Sequence, residues 1–91
     1  MITKIEKYGS SYCGPCKILD RTLEQMISSG KLENIEVIKY DVDDYEDLAS
    51  EKNIRNVPVI IYYNENNEEV ERSVGALPAN AILSIIDKWN Q

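Results

Sequence analysis

The segment SSYCGPCKI, Ser10–Ile18, contains both cysteines of this 91-residue chain, and only a glycine and a proline separate them. It follows Ile2–Tyr8, where apolar and polar residues alternate loosely, as in a strand. It leads into a stretch whose apolar residues recur at helical spacing. The segment therefore predicts a strand-to-helix turn, and Cys13 should lie at the N-terminus of the helix.

Two cysteines this close serve in proteins as metal ligands, as a structural cross-link or as a redox pair. A structural zinc site needs four Cys or His ligands, and an iron–sulfur cluster also needs more cysteines than two. The chain has two cysteines and no histidine, so zinc could bind only through a dimer or with carboxylates. A structural disulfide closing so short a loop would remove little entropy from the unfolded chain. Redox chemistry is therefore the favoured interpretation.

The position of Cys13 fits that chemistry. Free N–H groups at a helix N-terminus stabilise a thiolate, and Cys-X-X-Cys motifs lower thiol pKa values. Gly14 leaves room for the disulfide of another protein, and Pro15 stiffens the first turn at little cost. In thiol–disulfide exchange, Cys13 would attack the substrate disulfide, and Cys16 would then attack the Cys13 sulfur and release reduced substrate.

The rest of the chain continues the alternation of strands and helices. The predicted order is β-α-β-α-β-β-α, which makes residues 1–91 a single α/β domain with a mixed four-stranded sheet. The predicted elements are a strand Ile2–Tyr8, a helix Pro15–Ser29 stopped by Gly30, a strand Ile35–Val42, a short helix capped by Asp43 or Asp44 and ending near Asn53, a strand Val57–Tyr63, a hairpin loop Asn64–Asn67, a strand Glu69–Val74 and a helix starting at Pro78.

The two longer helices each carry one apolar stripe at helical spacing, which predicts the face that packs on the sheet. A helix between the first two strands makes them parallel, whereas the short hairpin makes the last two antiparallel. The stripe residues are Ile18, Leu19, Leu23, Met26 and Ile27 in the first helix, and Ile82, Ile85, Ile86 and Trp89 in the last.

Three segments carry a family resemblance. YCGPCK, Tyr12–Lys17, is similar to the active site of thioredoxins; IRNVPV, Ile54–Val59, resembles the family segment with a cis-proline; and VGAL, Val74–Leu77, resembles the glycine turn before the last helix. Together they cover essentially the whole chain. The resemblance implies a sheet in the order 2-1-3-4, with the first and last helices on one face and the middle helix on the other. The family usually begins with an additional strand and helix, so this chain resembles the minimal form that glutaredoxins and short thioredoxins share.

The resemblance also implies roles for single residues beside the nucleophile Cys13 and the resolving thiol Cys16. Pro58 would be the cis-proline that faces the cysteines, although most prolines at strand edges are trans. The backbone of Val57 would then pair with an extended substrate segment, and Gly75 would line the same groove. Tyr12 takes the place of the aromatic residue before the first cysteine; the alternative is a merely exposed aromatic side chain.

One position departs from the family pattern. Thioredoxins commonly keep a buried acid six residues before the first cysteine, where it accepts the proton of the resolving cysteine; this chain has Lys7 there. A buried lysine without a partner is costly, so we expect Lys7 to point outwards or the register to shift. Glu6 is the nearest replacement for the acid, and Lys39 matches the lysine that pairs with it. Water is the alternative proton acceptor.

The acidic run DVDDYED, Asp41–Asp47, raises the possibility of a calcium loop. An EF-hand loop beginning at Asp41 would need glycine at its sixth position and glutamate at its twelfth. The chain has Glu46 and Lys52 at those places. The better interpretation is an acidic first helical turn that complements the helix dipole, and no metal site is predicted.

Charge and hydropathy restrict the partners and the compartment. Sixteen acidic and ten basic residues give a net charge of −6, which argues against nucleic acids and anionic membranes. No apolar run approaches the ~20 residues of a membrane span, and MITKIEKYGS lacks the continuous apolar stretch of a signal peptide. We therefore expect a cytoplasmic protein, in a compartment where thiols are normally kept reduced.

The favoured function is that of a thioredoxin-type protein-disulfide reductase with no cofactor other than the Cys13–Cys16 pair. A thioredoxin-reductase-type partner would supply electrons, and a monomer would act on clients such as ribonucleotide reductase or peroxidases. A glutathione-dependent, glutaredoxin-like enzyme is the first alternative, but the chain has CGPC where a CPYC-type site is usual and VGAL where a Gly-Gly-Asp glutathione contact is usual. The alternative from another class is a redox sensor or docking module on the same fold.

Overall fold

The computed structural model describes all 91 residues, and its elements follow the predicted order. The sheet runs in the order β2-β1-β3-β4; β1 and β2 are parallel, and the other two pairings are antiparallel. This confirms the predicted α/β class and strand order. The elements are β1 (Ile2–Gly9), α1 (Gly14–Ser28), β2 (Glu36–Asp41), α2 (Glu46–Glu51), β3 (Val59–Asn64), β4 (Glu69–Val74) and α3 (Ala79–Trp89).

The two faces of the sheet carry separate apolar cores. The larger core joins β1 and β3 to α1 and α3 through residues such as Ile5, Leu19, Leu23 and Ile82. The smaller core lies on the other face and has α2 packed against it through the half-buried Leu48. It consists of Tyr8, Val59, Ile61 and Tyr63. The predicted placement of the first and last helices opposite the middle one is confirmed.

The central strand β1 pairs with β2 on one side and with β3 on the other. Successive side chains of a strand point to opposite faces of the sheet. Ile5 belongs to the larger core and Tyr8 to the smaller one. It follows that Lys7 faces α1, whereas its neighbour Glu6 faces the side of α2.

The apolar stripes were partly mispredicted. In α1, the buried side chains are Leu19, Leu23 and Met26 together with Cys16, whereas Ile18 and Ile27 are about half exposed at the edges of the stripe. In α3, Trp89 is 39% exposed, and its indole N–H donates to a Glu71 carboxylate oxygen at 2.7 Å. Trp89 is the last residue of α3, and its side chain is only partly covered by the rest of the chain.

The start of α2 also differs from the prediction, because neither Asp43 nor Asp44 caps it. Tyr45 occupies the N-cap position without a side-chain cap. Asp41 organises the preceding turn instead: its Oδ1 accepts the Asp43 N–H at 2.9 Å, and its carbonyl accepts the N–H groups of Asp44 and Tyr45. Acidic residues at the first turn of α2 complement the helix dipole as predicted. None of the helices combines the length and the apolar character needed to cross a bilayer.

Candidate active site

The two cysteines lie where β1 gives way to α1. Cys13 is the N-cap residue of α1, with extended backbone angles, and its sulfur accepts the backbone N–H of Cys16 at 3.1 Å. The two residues form a disulfide with their Cα atoms 5.1 Å apart. Cys13 is partly exposed, whereas Cys16 is 1% exposed and lies on the buried face of α1. The N–H that is free at a helix N-terminus thus points at the sulfur that needs negative charge to react.

The rim around Cys13 is open to solvent. Tyr12 is 96% exposed, and Gly14 and Pro15 are exposed in the first turn of α1. A Cβ added at Gly14 would have no atom of the chain within 4 Å. Packing within the chain therefore does not require glycine at this position, and its role towards an approaching disulfide stays a prediction.

The loop before β3 forms the other wall of the site. The Val57–Pro58 peptide bond is cis, and Cys13 Sγ lies 3.9 Å from the Val57 carbonyl oxygen. The disulfide sulfur carries no proton, so this is a packing contact. Neither the N–H nor the C=O of Val57 takes part in a backbone hydrogen bond. The Gly75 N–H donates to the Pro58 carbonyl at 2.9 Å, which ties the VGAL turn to the same loop.

Gly75 has a φ of +92°, and no atom lies within 4 Å of the place where its Cβ would be. The requirement for glycine is therefore conformational, since other residues rarely adopt such a φ. The structure brings the CGPC turn, Pro58 and Gly75 to one end of the sheet, as the resemblance implied.

The expectation that Lys7 points outwards is wrong. Its side chain is buried under α1, with the residue 5% exposed, and its Nζ lies 2.8 Å from Asp20 Oδ1. Lys39 Nζ lies 3.7 Å from the same oxygen and 3.4 Å from Glu24 Oε1. The partner Asp20 was missed at the sequence level. The available signal was its position one turn after Cys16 and next to the buried Leu19, which places it beside the face of α1 that packs on the sheet.

Gly9 determines where the Lys7 ammonium can lie. A Cβ added at Gly9 would be 2.5 Å from Lys7 Nζ and 3.3 Å from Cys16 Cβ. The absence of a side chain at Gly9 therefore lets the ammonium and the resolving cysteine approach the same point from two sides. A cavity of about 290 Å³ opens beside them, lined in part by Lys7, Gly9, Asp20 and Lys39.

Comparisons with known proteins agree with this geometry. The Thioredoxin family model matches residues 4–88 of the chain. The chain belongs to the thioredoxin family. It is 32% identical over 81 residues to thioredoxin C-2 of Corynebacterium nephridii, a match covering 89% of this chain and 73% of that one. It is 28% identical over 83 residues to a thioredoxin of Mycoplasma genitalium, covering 91% and 78%.

Solved thioredoxin structures show the same fold. A mutant thioredoxin from Halobacterium salinarum superposes with a TM-score of 0.83 at 27% identity, covering 97% of this chain and 74% of the other. A chloroplastic thioredoxin z gives 0.82 at 30% identity, covering 96% and 77%. The chain is thus a thioredoxin-type dithiol–disulfide oxidoreductase with Cys13 and Cys16 as its redox-active pair. Thioredoxins as a family work on disulfide-containing client proteins and with reductase partners.

Glu6 is the expected replacement for the buried acid of the thioredoxin family, and that prediction is wrong. Glu6 is buried on the α2 side of the sheet, the face opposite Lys7 and Cys16. Its Oε1 accepts hydrogen bonds from the hydroxyls of Tyr8 at 3.0 Å and Tyr63 at 2.6 Å. Burial, followed by the contact with Glu6, raises the pKa of both tyrosines. Glu6 therefore cannot take a proton directly from Cys16, and Lys39 pairs with acids of α1 and not with Glu6.

Proposed function

We propose that this protein reduces disulfides of client proteins, with Cys13 as the attacking nucleophile and Cys16 as the resolving thiol. The observation that carries this assignment is the difference in access between the two sulfurs. Cys13 is partly exposed and receives the Cys16 N–H at 3.1 Å, whereas Cys16 is buried. A client disulfide can reach the first sulfur only.

The reaction proceeds in two exchanges. The Cys13 thiolate attacks one sulfur of the client disulfide, a bond forms between the two, and the second client sulfur leaves as a thiolate. The Cys16 thiolate then attacks Cys13 Sγ, the bond to the client breaks, and the Cys13–Cys16 disulfide forms. The client has gained two electrons and, after protonation by solvent, two thiols. A reductase must return two electrons to the enzyme before the next cycle.

The groove beside Cys13 suits an extended client segment. The N–H and C=O of Val57 are free to pair with the backbone of such a segment, as in strand addition. The positive φ of Gly75 favours glycine, so the turn opposite Cys13 carries no side chain at this position. Tyr12 offers an exposed aromatic surface at the rim. Backbone pairing with few side-chain contacts favours a range of clients over a single one.

The electron donor that we propose is a thioredoxin-reductase-type enzyme. Supporting this choice are the CGPC motif, the family membership and the absence from VGAL of the acidic residue that glutaredoxins use to hold glutathione. The clients would be cytoplasmic proteins that form disulfides during their own cycle, such as ribonucleotide reductase or peroxidases, and the protein would act as a monomeric electron carrier.

A protein-disulfide reduction assay with two electron sources tests this proposal. Reduction of insulin should proceed with thioredoxin reductase and NADPH and should be at least about tenfold slower with glutathione, glutathione reductase and NADPH. Cys13→Ser should be inactive with both. Cys16→Ser should carry out the first exchange only, so that a one-to-one mixed disulfide with the client accumulates on non-reducing gels.

The opposite pattern would reject specific parts of the assignment. Trapped adducts in Cys13→Ser and none in Cys16→Ser would exchange the roles of the two cysteines. Faster turnover with glutathione would identify a glutaredoxin-like electron source. Wild-type protein that reduces no protein disulfide with either source would leave a redox sensor or docking module as the better function.

A further inference from the structure

A positive charge lies close to the resolving cysteine, on the face of the sheet that packs against α1. Lys7 is buried beneath α1, and its ammonium and Cys16 Cβ bound the same gap above Gly9. Lysine is rarely buried without a functional or structural partner, since removing its charge from water is costly. The position of this ammonium therefore bears on how Cys16 becomes reactive.

Four further charged groups surround Lys7 from the elements packed against it. Asp20 and Glu24 lie on α1, Lys39 on β2, and Asp41 lines the same cavity at the end of β2. The Asp20 carboxylate is shared, because the two ammonium groups of Lys7 and Lys39 both approach its Oδ1. Glu24 and Asp41 take other partners, Lys39 and Ser11 respectively. The charge of Lys7 is thus only partly compensated.

The contact between Lys7 and Asp20 is a close ion pair, with Lys7 Nζ 2.8 Å from Asp20 Oδ1. An ammonium carries three N–H donors, and one carboxylate oxygen occupies only one of them. The other N–H bonds of the ammonium are therefore not committed to this carboxylate. They remain available for an anion that forms on the Cys16 side of Gly9.

We propose that Lys7 is the electrostatic partner of the Cys16 thiolate in the resolving step. This inference rests on the proposed roles of Cys13 and Cys16. In the mixed disulfide the Cys13 sulfur is bonded and uncharged, so Lys7 becomes the charge that sets how readily Cys16 ionises. An opposite charge within about 4–6 Å favours the ionised form of a thiol. Stabilisation of the anion takes the place of proton abstraction by a buried acid.

The proton and the electrons balance without a general base. The Cys16 thiol releases its proton to water; Lys7 and Gly9, which lie beside Cys16, also line an open cavity of about 290 Å³ that is wide enough for water. Lys7 keeps its own protons throughout. The Cys16 thiolate donates its electron pair to Cys13 Sγ, and the client sulfur leaves as a thiolate that solvent protonates. Gly9 is part of this arrangement because any side chain there would push the ammonium away.

Ellman's reagent separates the two exchanges in one experiment. Mixed with reduced protein in a stopped-flow instrument, it releases one thionitrobenzoate when Cys13 attacks and a second when Cys16 resolves the mixed disulfide. The rates of both phases are measured from pH 5 to pH 9. In Lys7→Met, we expect the pH midpoint of the second phase to rise by about one pH unit or more, and the first phase to change less than about twofold.

Three further variants give the effect a direction that a purely structural role would not produce. Asp20→Asn should lower the midpoint of the second phase, because Lys7 then shares its charge with no carboxylate. Lys7→Arg should restore a midpoint near that of the wild type, since the positive charge returns. Lys31→Met is the control; it removes an exposed ammonium that makes no ion pair and should leave the midpoint within about 0.3 pH units.

A midpoint that is unchanged in Lys7→Met overturns the inference. If Lys7→Met fails to fold by circular dichroism, Gly9→Ala replaces it, because a Cβ at that position displaces the ammonium and retains the charge. An unchanged midpoint in Gly9→Ala, together with a lower rate at every pH, would then mean a structural role only. Failure of the proposed function looks different: wild-type protein would show no rapid first phase at all.

Discussion

Two consecutive residues of β1 carry opposite charges, are both buried, and belong to different regions of the molecule. Glu6, 7% exposed, faces α2 and is enclosed by the hydroxyls of Tyr8 and Tyr63. Lys7, 5% exposed, faces α1 and borders an open cavity next to Cys16. Because successive side chains of a strand point to opposite faces of the sheet, two consecutive residues contact different parts of the molecule. The face of the sheet to which a charged side chain points, and not its distance along the chain, therefore decides whether it can act on the active site.

The two charges also differ in how they are held. Glu6 accepts two hydrogen bonds from rigid aromatic side chains, so its region is fully paired and closed. Lys7 has a carboxylate partner that is shared with Lys39 and lies at the edge of solvent. A closed network stabilises one conformation, whereas a shared partner leaves a charge free to respond to a new anion. Stability should therefore depend mainly on Glu6 and reactivity mainly on Lys7.

The largest loss of stability is expected when the hydrogen bonds to Glu6 are removed. Glu6→Leu leaves two buried tyrosine hydroxyls without an acceptor, and we expect a loss of about 3 kcal/mol in the free energy of unfolding. Glu6→Gln keeps a carbonyl acceptor and should lose only about 1 kcal/mol. Urea unfolding measures both values. The resolving step of Glu6→Gln should keep the pH midpoint of the wild type; a shift like that expected for Lys7→Met would mean that the two faces are not independent.

A smaller effect distinguishes the two partners on the Lys7 side. Removing one member of a buried ion pair costs about 3–5 kcal/mol, and because Asp20 is about one-third exposed we expect about 2 kcal/mol for Asp20→Ala. Lys7→Met should change stability by less than about 1 kcal/mol, since methionine fills the space and Asp20 keeps Lys39.

The double variant Lys7→Met/Asp20→Ala checks this asymmetry. It should be more stable than Asp20→Ala alone, because no buried ammonium remains unpaired. Chemical denaturation of the four proteins gives the coupling energy directly. A larger loss in Lys7→Met than in Asp20→Ala would show that the lysine, and not its exposed partner, is the stabilising member.

The smallest effect comes from an acid outside both regions, which serves as a reference for a surface charge. Hydrogen bonds from Lys88 and from the indole of Trp89 hold the pKa of Glu71 below its ordinary value. Such a group adds stability above its unfolded pKa and loses that contribution as the pH falls through the folded value. Glu71→Gln should therefore lower stability by less than about 1 kcal/mol at pH 7, and by a smaller amount at pH 3.

Urea titrations at several pH values between 3 and 7 measure this dependence. Glu51→Gln, which changes an exposed acid of α2 that makes no ion pair, provides the control and should show no pH-dependent difference from the wild type. A difference for Glu71→Gln that is as large at pH 3 as at pH 7 would mean that the side chain acts through packing and not through its charge.

Much of the fold was predictable because its signals are local. The period of two in β1 and the period of about 3.6 in α1 determined the order of the elements, and the strand Glu69–Val74 has the predicted bounds. Local sequence patterns are less reliable at the ends of helices and strands. Asp43 and Asp44 have good capping side chains, yet Asp41 organises the turn, because the direction in which β2 delivers the chain decides which group can reach.

The active site divides in the same way. The residues alone predict the CGPC turn at a helix N-terminus, whereas the cis-proline loop opposite it and the glycine turn were predicted through the family resemblance of IRNVPV and VGAL. The burial of Lys7, its pairing with Asp20 and the place of Glu6 on the far face depend on how the elements pack against one another. A charge can be buried only where packing supplies a partner, and that partner comes from another element whose rotation and depth no local pattern records.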